Sequence, residues 1–311
     1  MRKSVGILHL FFIAMLFVSG CAAGEKGDSS DKKIRLPDMA VLKSDAEKGN
    51  KESQLLLGAL FNIGEGVPQN DQQAAYWFRQ AAEQGDVKGQ VYTALSYQEG
   101  KGVAQDFEQA VYWYRKAAEQ GDVQAQYNLG LVYTDGKGVS PDDQQAFYWF
   151  DKAAKQGNAM GEAAVGLCYA QGKGVAQDFE QAVHWYRKAA EQGHVMAQCN
   201  LGVYYGSGEG GVTDYRQAVY WFQKAAEQGE MRAQYNLGLS YAKGQGVSQN
   251  DQLAYQWFSL AAAKNSQFNT ERDRAKGVLT SSQIQEADDW ILHWKPKLSK
   301  FTMAQSRTLT D

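Results

Sequence analysis

Small and apolar residues return along this chain at helical spacing, and the pattern restarts every 36 residues. The third unit shows it plainly. In Gly121-Asp-Val-Gln-Ala-Gln-Tyr-Asn-Leu-Gly-Leu-Val-Tyr133, the residues Ala125, Leu129, Gly130 and Tyr133 fall at spacings of four, one and three, which is one face of an α-helix. Gly136-Lys137-Gly138 ends that helix, and Asp142 stands where an N-cap offers its side-chain oxygen to the next, as do Asp106, Asp178 and Asp214 in their units. A second helix then carries Ala146, Trp149, Phe150, Ala153 and Ala154 on one face and stops at Lys155-Gln156-Gly157, with glycine as the exit residue. Each unit is thus predicted to be an antiparallel helix hairpin.

The register holds without an insertion. Gly49, Gly85, Gly121, Gly157, Gly193 and Gly229 are 36 apart, and so are Trp77, Trp113, Trp149, Trp185, Trp221 and Trp257. One slot in every unit is what packing demands, so the tryptophans are expected in the core. Asn265 occupies the next glycine slot and is expected to take the same left-handed backbone. Gly58, Gly130, Gly166, Gly202 and Gly238 each cost ~1 kcal/mol inside a helix, which implies a close helix crossing at that slot. Unit five reads Gly208-Glu-Gly-Gly-Val212, its valine displaced by one, and a remodelled turn is expected there. A hairpin buries only one side of itself, so neighbours must stack and both ends need caps. Asp38 to Lys48, with Ala46 in the alanine slot, is predicted to be half of a preceding second helix. At the other end, Thr270 to Val278 is predicted to pair with a final helix that starts at a Ser282/Gln285 capping box, runs to about Trp294 and stops before Pro296.

The small-xxx-Leu-Gly-xx-Tyr first helix, the Gly-x-Gly-Val turn, the Asp-xxx-Ala-xx-Trp second helix and the Ala-Ala-xx-Gly exit closely resemble the SEL-one-like repeat family, relatives of the tetratricopeptide repeats. The resemblance covers roughly Leu42 to Asn265. It implies an all-α fold, a right-handed α-solenoid of six helix-hairpin repeats with a C-terminal capping helix, divided as 39–265 for the solenoid and 266–311 for capping helices and a loose polar tail. It further implies that the first helices line a concave side, where an asparagine in tetratricopeptide relatives grips a peptide backbone. The slots that the repeat consensus leaves free are 7, 11 and 14 residues after each glycine. From them come the candidate partner-binding residues Tyr92, Asn128, Asp135, Gln171, Asn200, Tyr204, Asn236 and Lys243. The function so implied is an adaptor or inhibitor scaffold for another protein, since some exported members that this chain resembles neutralise a secreted phospholipase toxin. Cysteine-rich secreted members are linked to penicillin binding, so a weak β-lactam or cell-wall hydrolase is the competing reading. Ser240-x-x-Lys243 and Ser29-x-x-Lys32 match its minimal serine motif, but Lys-Thr-Gly and Ser-Asp-Asn are absent. These residues specify no enzyme and call for no cofactor.

The N-terminus decides where such a scaffold would act. Residues 1–20 have a basic start at Arg2 and Lys3, an apolar run from Val5 to Val18 broken by His9, and small residues after it, the layout of a secretion signal. Val18-Ser19-Gly20-Cys21 resembles a bacterial lipobox, which makes Cys21 the expected lipidation site and segment 21–38 a lipidated cysteine followed by a Gly-, Ser-, Asp- and Lys-rich tether. Ala22 rather than aspartate follows that cysteine, so outer-membrane attachment facing the periplasm is the expectation. Loss of Arg2 and Lys3 takes the formal charge from −3 to −5, which makes nucleic acid a poor partner. Cys168 and Cys199 remain and are expected as buried free thiols. The histidines His9, His184, His194 and His293 have no metal-ligand spacing. His184, in a tyrosine slot, is expected to be a packing residue. Lys116, Lys152, Lys188 and Lys224, near second-helix ends, are expected on a solvated face.

Overall fold

A computed structural model describes residues 38–211, 213–297 and 299. The signal segment, Cys21, the Ser29–Lys32 pair and the tail from 300 onward lie outside the described residues. Among them are fifteen α-helices, one short 3-10 turn and no strand. The chain divides into two compact units after Asp142. The first contains α1 (Met39–Glu47), α2 (Lys51–Ile63), α3 (Asp71–Glu83), α4 (Val87–Glu99), α5 (Phe107–Glu119) and α6 (Val123–Asp135). The second contains α7 (Asp143–Lys155), α8 (Ala159–Gln171), α9 (Phe179–Glu191), α10 (Val195–Ser207), α11 (Tyr215–Glu227), α12 (Met231–Lys243), α13 (Asp251–Ala262), the 3-10 turn Ser266–Phe268, α14 (Asn269–Lys276) and α15 (Ser281–His293). Within each unit consecutive helices pack as pairs, the arrangement of an α-solenoid.

Turn chemistry makes the hairpins. The first glycine of each pair ends a first helix in the left-handed region, with φ from 66° at Gly244 to 79° at Gly208. The second glycine lies against the neighbouring repeat: a methyl group on Gly246 would overlap the carbonyl oxygen of Tyr215, the first residue of α11, and one on Gly102 would overlap that of Asp71. Asp106 and Asp178 cap α5 and α9 by accepting from the amides of Gln109 and Gln181, at 3.0 and 2.9 Å. The exit glycines are also left-handed, from 79° at Gly157 to 94° at Gly193. Asn265 departs from them. Its φ is −152°, and its side chain accepts from the amide of Gln267, so it caps the 3-10 turn instead of continuing the glycine series.

The small slot in the first helix does mark a close crossing. A Cβ on Gly58, Gly202 or Gly238 would sit 2.6–2.7 Å from the ring of Phe78, Phe222 or Phe258 on the second helix of the same repeat, and Gly166 meets Tyr186 at 2.9 Å. Trp77, Trp113, Trp149, Trp221 and Trp257 are buried as expected, whereas Trp185 is half-exposed.

One recurring element escaped the sequence reading. Five residues after each exit glycine stands a buried polar group: Gln54, Gln90, Gln126, Glu162, Gln198 and Gln234. The amides tie repeat to repeat. Gln54 donates to the carbonyl of Ala46 (2.9 Å) and accepts from Gln84 (2.7 Å), and Gln198 donates to Ala190 (3.0 Å) and accepts from Gln228 (2.8 Å). Glu162 breaks the series and accepts from Gln192 at 2.7 Å, with the Lys188 ammonium 3.6 Å away.

Both described ends are capped, with shifts of detail. Helix α1 supplies Leu42 and Ala46 to the first core and is capped by Asp38. At the C-terminus, α14 and α15 close over α13 through Ala275 and Ala287, and the Tyr255 hydroxyl donates to Asp288 at 2.7 Å. The capping box of α15 is Thr280 with Gln283, two residues before the expected Ser282 and Gln285, because Thr280 is the last extended residue (ψ 160°). Val278 falls outside α14 and is exposed. Beyond Pro296 the chain turns back over the exit turns: the Lys297 amide donates to the Glu227 carbonyl (2.7 Å), and the Ser299 hydroxyl donates to that of Gly193 (3.2 Å).

Candidate partner-binding face

The first helices expose a narrower strip than slots 7, 11 and 14 suggested. In the second unit its apolar members are Leu167 and Val203, in slot 10, and Met196, in slot 3, at 45, 42 and 44% exposure. In the first unit Leu131 occupies slot 10 and is likewise exposed. At about 100° per residue, slots 3, 7, 10 and 14 fall within roughly 60° of one another. Slot 11 lies beyond the edge of that strip and turns towards the second helix, so Leu60, Cys168 and Ser240 are buried.

The candidate residues therefore separate. Asp135, Gln171 and Lys243, in slot 14, are exposed, with Asp135 3.8 Å from the Lys137 ammonium. Asn128 and Asn200 are half-buried; Asn128 accepts from Gln124 at 2.9 Å and Asn200 from Arg232 at 3.4 Å, and each lies near a buried tyrosine of the preceding repeat, Tyr114, whose hydroxyl donates to Gln98 at 2.9 Å, and Tyr186. Burial pushes both phenols well above their ordinary range. Asn236 is half-buried too, but the corresponding residue of the preceding repeat is Phe222, which has no hydroxyl to offer. Tyr92 stacks on Phe78 with ring centres 4.7 Å apart and belongs largely to the first core.

Tyr204 leads to a different feature. With Tyr205, Val183 and Arg187 it lines an open cavity of about 640 Å³ in the second unit, bounded by the turn at Glu209, Gly210 and Gly211, by Thr213 to Arg216, and by Gly246. This is the turn expected to be remodelled. Gly211 stands where the other repeats have Val67, Val103, Val139, Val175 and Val247, and its φ of 146° has no counterpart in them. The Arg187 guanidinium donates to the Tyr205 hydroxyl at 2.6 Å, and Asp214 accepts from the amides of Arg216 and Gln217 at 3.0 Å each. Burial raises the Tyr204 phenol, with the Glu209 charge adding to it. The signal available in the sequence was the departure of one turn from a strict repeat.

Other candidate chemistry is accounted for by packing. The Ser240 hydroxyl is buried and donates to the Asn236 carbonyl within its own helix (3.0 Å), so the Ser240-x-x-Lys243 match is a helix-interior pair. Cys168 and Cys199 are free and buried, and desolvation pushes the thiols up to about 11 and about 12. His184 is exposed, edge-on to Trp185 with ring centres 5.5 Å apart, rather than packed; its slot is a surface slot, shared with the exposed Tyr112, Tyr148 and Tyr220. The ammonium groups of Lys116, Lys152 and Lys224 lie 5.0–5.4 Å above those three rings. Among the described residues no helix is long and apolar enough to cross a membrane, and no cluster of His, Cys, Asp and Glu could hold a metal ion.

The Sel1 repeat model matches residues 51–86, 87–122, 123–158, 159–194, 195–230 and 232–266. No curated protein matches the chain. Among solved structures, a Sel1 repeat protein from Oxalobacter formigenes is 35% identical, with a TM-score of 0.63, over 72% of this chain and 89% of that one. A protective antigen of uropathogenic Escherichia coli with an SLR fold is 33% identical, with a TM-score of 0.56, over 86% of this chain. This chain spans just under two thirds of that antigen, 66% of its length. An immunity protein from Pseudomonas aeruginosa, 20% identical with a TM-score of 0.40 over 76% of this chain and 88% of that one, is too distant to bear on function. Six matched repeats in one register, folded as stacked helix pairs of the kind that serve as protein-interaction scaffolds, establish that the chain belongs to the Sel1 repeat family.

Proposed function

We propose that this protein is a lipid-anchored interaction module of the cell envelope, held through Cys21 at the outer membrane and facing the periplasm, which binds another protein through the first helices of its second unit. The observation that supports the binding reading most directly is the exposure of Leu167 on α8 and of Met196 and Val203 on α10, all in the strip of slots that the first helices leave open. Single exposed apolar residues are ordinary, whereas a row of them on one face marks an interaction surface. The adjoining cavity beside Tyr204 adds relief to that face. The reading has no catalytic step.

The test is capture of a partner from an envelope extract by the purified chain and by a Leu167→Gln, Val203→Gln variant. The variant is expected to melt at the parental temperature and to lose the partner that the parent retains. Capture unchanged by the variant would remove the face from consideration. A secreted phospholipase as the captured protein would make this chain an inhibitor, and an envelope component would make it an adaptor. The anchor is checked separately: Cys21→Ser should move the protein from the membrane fraction to the soluble periplasmic fraction.

A further inference from the structure

The segment after α15 is an extended chain laid across the exit turns of the second unit, and it meets them in a regular step. Trp294 and Pro296 cover Gly229, where a Cβ would meet them at 3.8 and 3.5 Å. The Lys297 amide donates to the Glu227 carbonyl at 2.7 Å, and the Lys297 ammonium lies 3.7 Å from the Glu227 carboxylate. The Ser299 amide donates to the Gln228 side-chain oxygen at 3.1 Å, and the Ser299 hydroxyl to the Gly193 carbonyl at 3.2 Å. Three residues, from Pro296 to Ser299, thus carry the chain from one exit glycine to the exit glycine 36 positions before it.

These acceptors belong to the repeat, so the next exit offers them again. Glu191, Gln192 and Gly157 stand 36 positions before Glu227, Gln228 and Gly193. Gly193 is buried beneath the strap, whereas Gly157, Glu191 and Gln192 are exposed. Among the described residues nothing lies within 4 Å of a Cβ built on Gly157, and no cation is within ion-pair distance of Glu191, since Lys188 of the same helix reaches Glu162 instead. The Gln192 amide donates to Glu162 at 2.7 Å and to the Gly157 carbonyl at 3.1 Å, which leaves the Gln192 side-chain oxygen and the second lone pair of that carbonyl to accept.

The sequence of the tail repeats in the same step. Lys297-Leu298-Ser299 is followed by Lys300-Phe301-Thr302, again basic, apolar and hydroxyl-bearing. One step further the complementarity changes on both sides together: the tail has Met303 in place of lysine where the edge has Lys155 in place of glutamate.

We propose that residues 300–303 continue the strap along this exit edge, so that the protein's own tail is its occupant. The Lys300 amide donates to the Glu191 carbonyl and the Lys300 ammonium pairs with the Glu191 carboxylate. The Thr302 amide donates to the Gln192 side-chain oxygen, and the Thr302 hydroxyl to the Gly157 carbonyl. Backbone amides supply two of the four contacts, as when an extended peptide adds to a sheet edge, and the lysine and the hydroxyl set the register. The edge shares no residue with the exposed strip of the first helices, so the assignment is independent of the reading of that strip as a binding face.

The purified full chain is treated with a water-soluble carbodiimide, which joins an ammonium to a carboxylate in contact with it, and linked peptides from the monomer fraction are mapped by mass spectrometry. Lys297 with Glu227 is the internal reference, and Lys300 with Glu191 should form in comparable yield. In hydrogen exchange the Thr302 amide should be protected at least about tenfold relative to the free peptide of residues 294–311. Thr302→Pro removes the amide that Gln192 accepts from. It should lower the link between Lys300 and Glu191 severalfold, while the link between Lys297 and Glu227 and the melting temperature stay parental, which separates loss of docking from loss of fold. Lys300 joined to other carboxylates without preference, or joined to Glu191 only between two copies, overturns the proposal. So does a Thr302 amide that exchanges at the free-peptide rate, or a Thr302→Pro variant that links as well as the parent.

Discussion

Two residues show how one substitution in a repeated slot reprograms a site. Glu162 occupies the slot that elsewhere holds a glutamine bridging two repeats, at 1% exposure. An ionised carboxylate cannot donate, so it cannot make the bond to the preceding alanine carbonyl that Gln126 and Gln198 make. Burial raises its pKa, and Lys188 and Gln192 offset only part of that. Folding therefore favours the protonated form: the stability tied to this group is present at low pH and is lost as pH rises through the raised pKa. Glu162→Gln is expected to stabilise the protein by about 1 kcal/mol at pH 7, a gain that shrinks towards pH 4, read by thermal melting at both values. His194 works in the opposite direction. Its Nδ1 accepts from the Ala197 amide at 3.2 Å as the N-cap of α10, the place held by Asn50, Asp86, Asp122 and Asn158 elsewhere, and burial lowers its pKa to about 4. The unfolded imidazole takes up its proton near 6.5, so stability is intact above that pH and is lost as pH falls from 6.5 towards 4, by up to roughly 3 kcal/mol. His194→Asn keeps a cap that does not titrate. Its melting temperature should match the parent at pH 7.5 and exceed it increasingly between pH 6 and pH 4.5; parallel pH profiles would show that the cap carries no such load.

The hairpin is held by a contact that a propensity scale opposes. Alanine in place of a helical glycine gains ~1 kcal/mol from backbone and entropy terms. At Gly202, however, the new methyl would lie 2.6 Å from the Phe222 ring. Overpacking of that kind costs typically 1–3 kcal/mol. Gly202→Ala is therefore expected to be net destabilising by up to about 2 kcal/mol, and Gly202→Ala with Phe222→Leu should recover part of the loss; denaturant melts of the two variants and the parent decide it. The hairpins were legible because each of their determinants is local: left-handed glycines, Asx caps and an aromatic facing a small residue repeat at fixed offsets. What the sequence concealed depends on angle and on neighbours. Slots 10 and 11 are adjacent in the chain, yet Leu167 is exposed and Cys168 is buried, because one step of about 100° crosses the boundary of the packed face. Asn128 and Asn200 read as free polar residues until the tyrosines of the preceding helices are placed beside them. Asn265 shares a register with the exit glycines but finds a different use for its side chain as soon as the repeat ends.

In a stack of repeats each hairpin is stabilised chiefly by its immediate neighbours, so the ends set how far fraying travels. The C-terminal end of the second unit is secured twice. Helices α14 and α15 cover α13, and the segment after α15 returns along the exits of repeats five and four. Trp294 joins Trp290 and Trp257 at the edge of the core, the Lys297 amide binds the Glu227 carbonyl, and the Ser299 amide and hydroxyl bind the Gln228 side chain and the Gly193 carbonyl. That strap joins residues 71 and 106 positions apart, so it restrains repeats that the helix pairs link only one to the next. A chain ending at His293 keeps every described helix and loses the strap. It is expected to keep its helical circular dichroism and to be less stable by a few kcal/mol, from the lost burial of Trp294 and the freed exit carbonyls. Hydrogen exchange should accelerate at the ends of α9 and α11, beside Gly193 and Gly229, while α2 to α5 exchange at the parental rate. Acceleration spread evenly over all the helices would mean that the stack melts as one cooperative body, and the strap would then be one contact among many rather than a brace on two repeats.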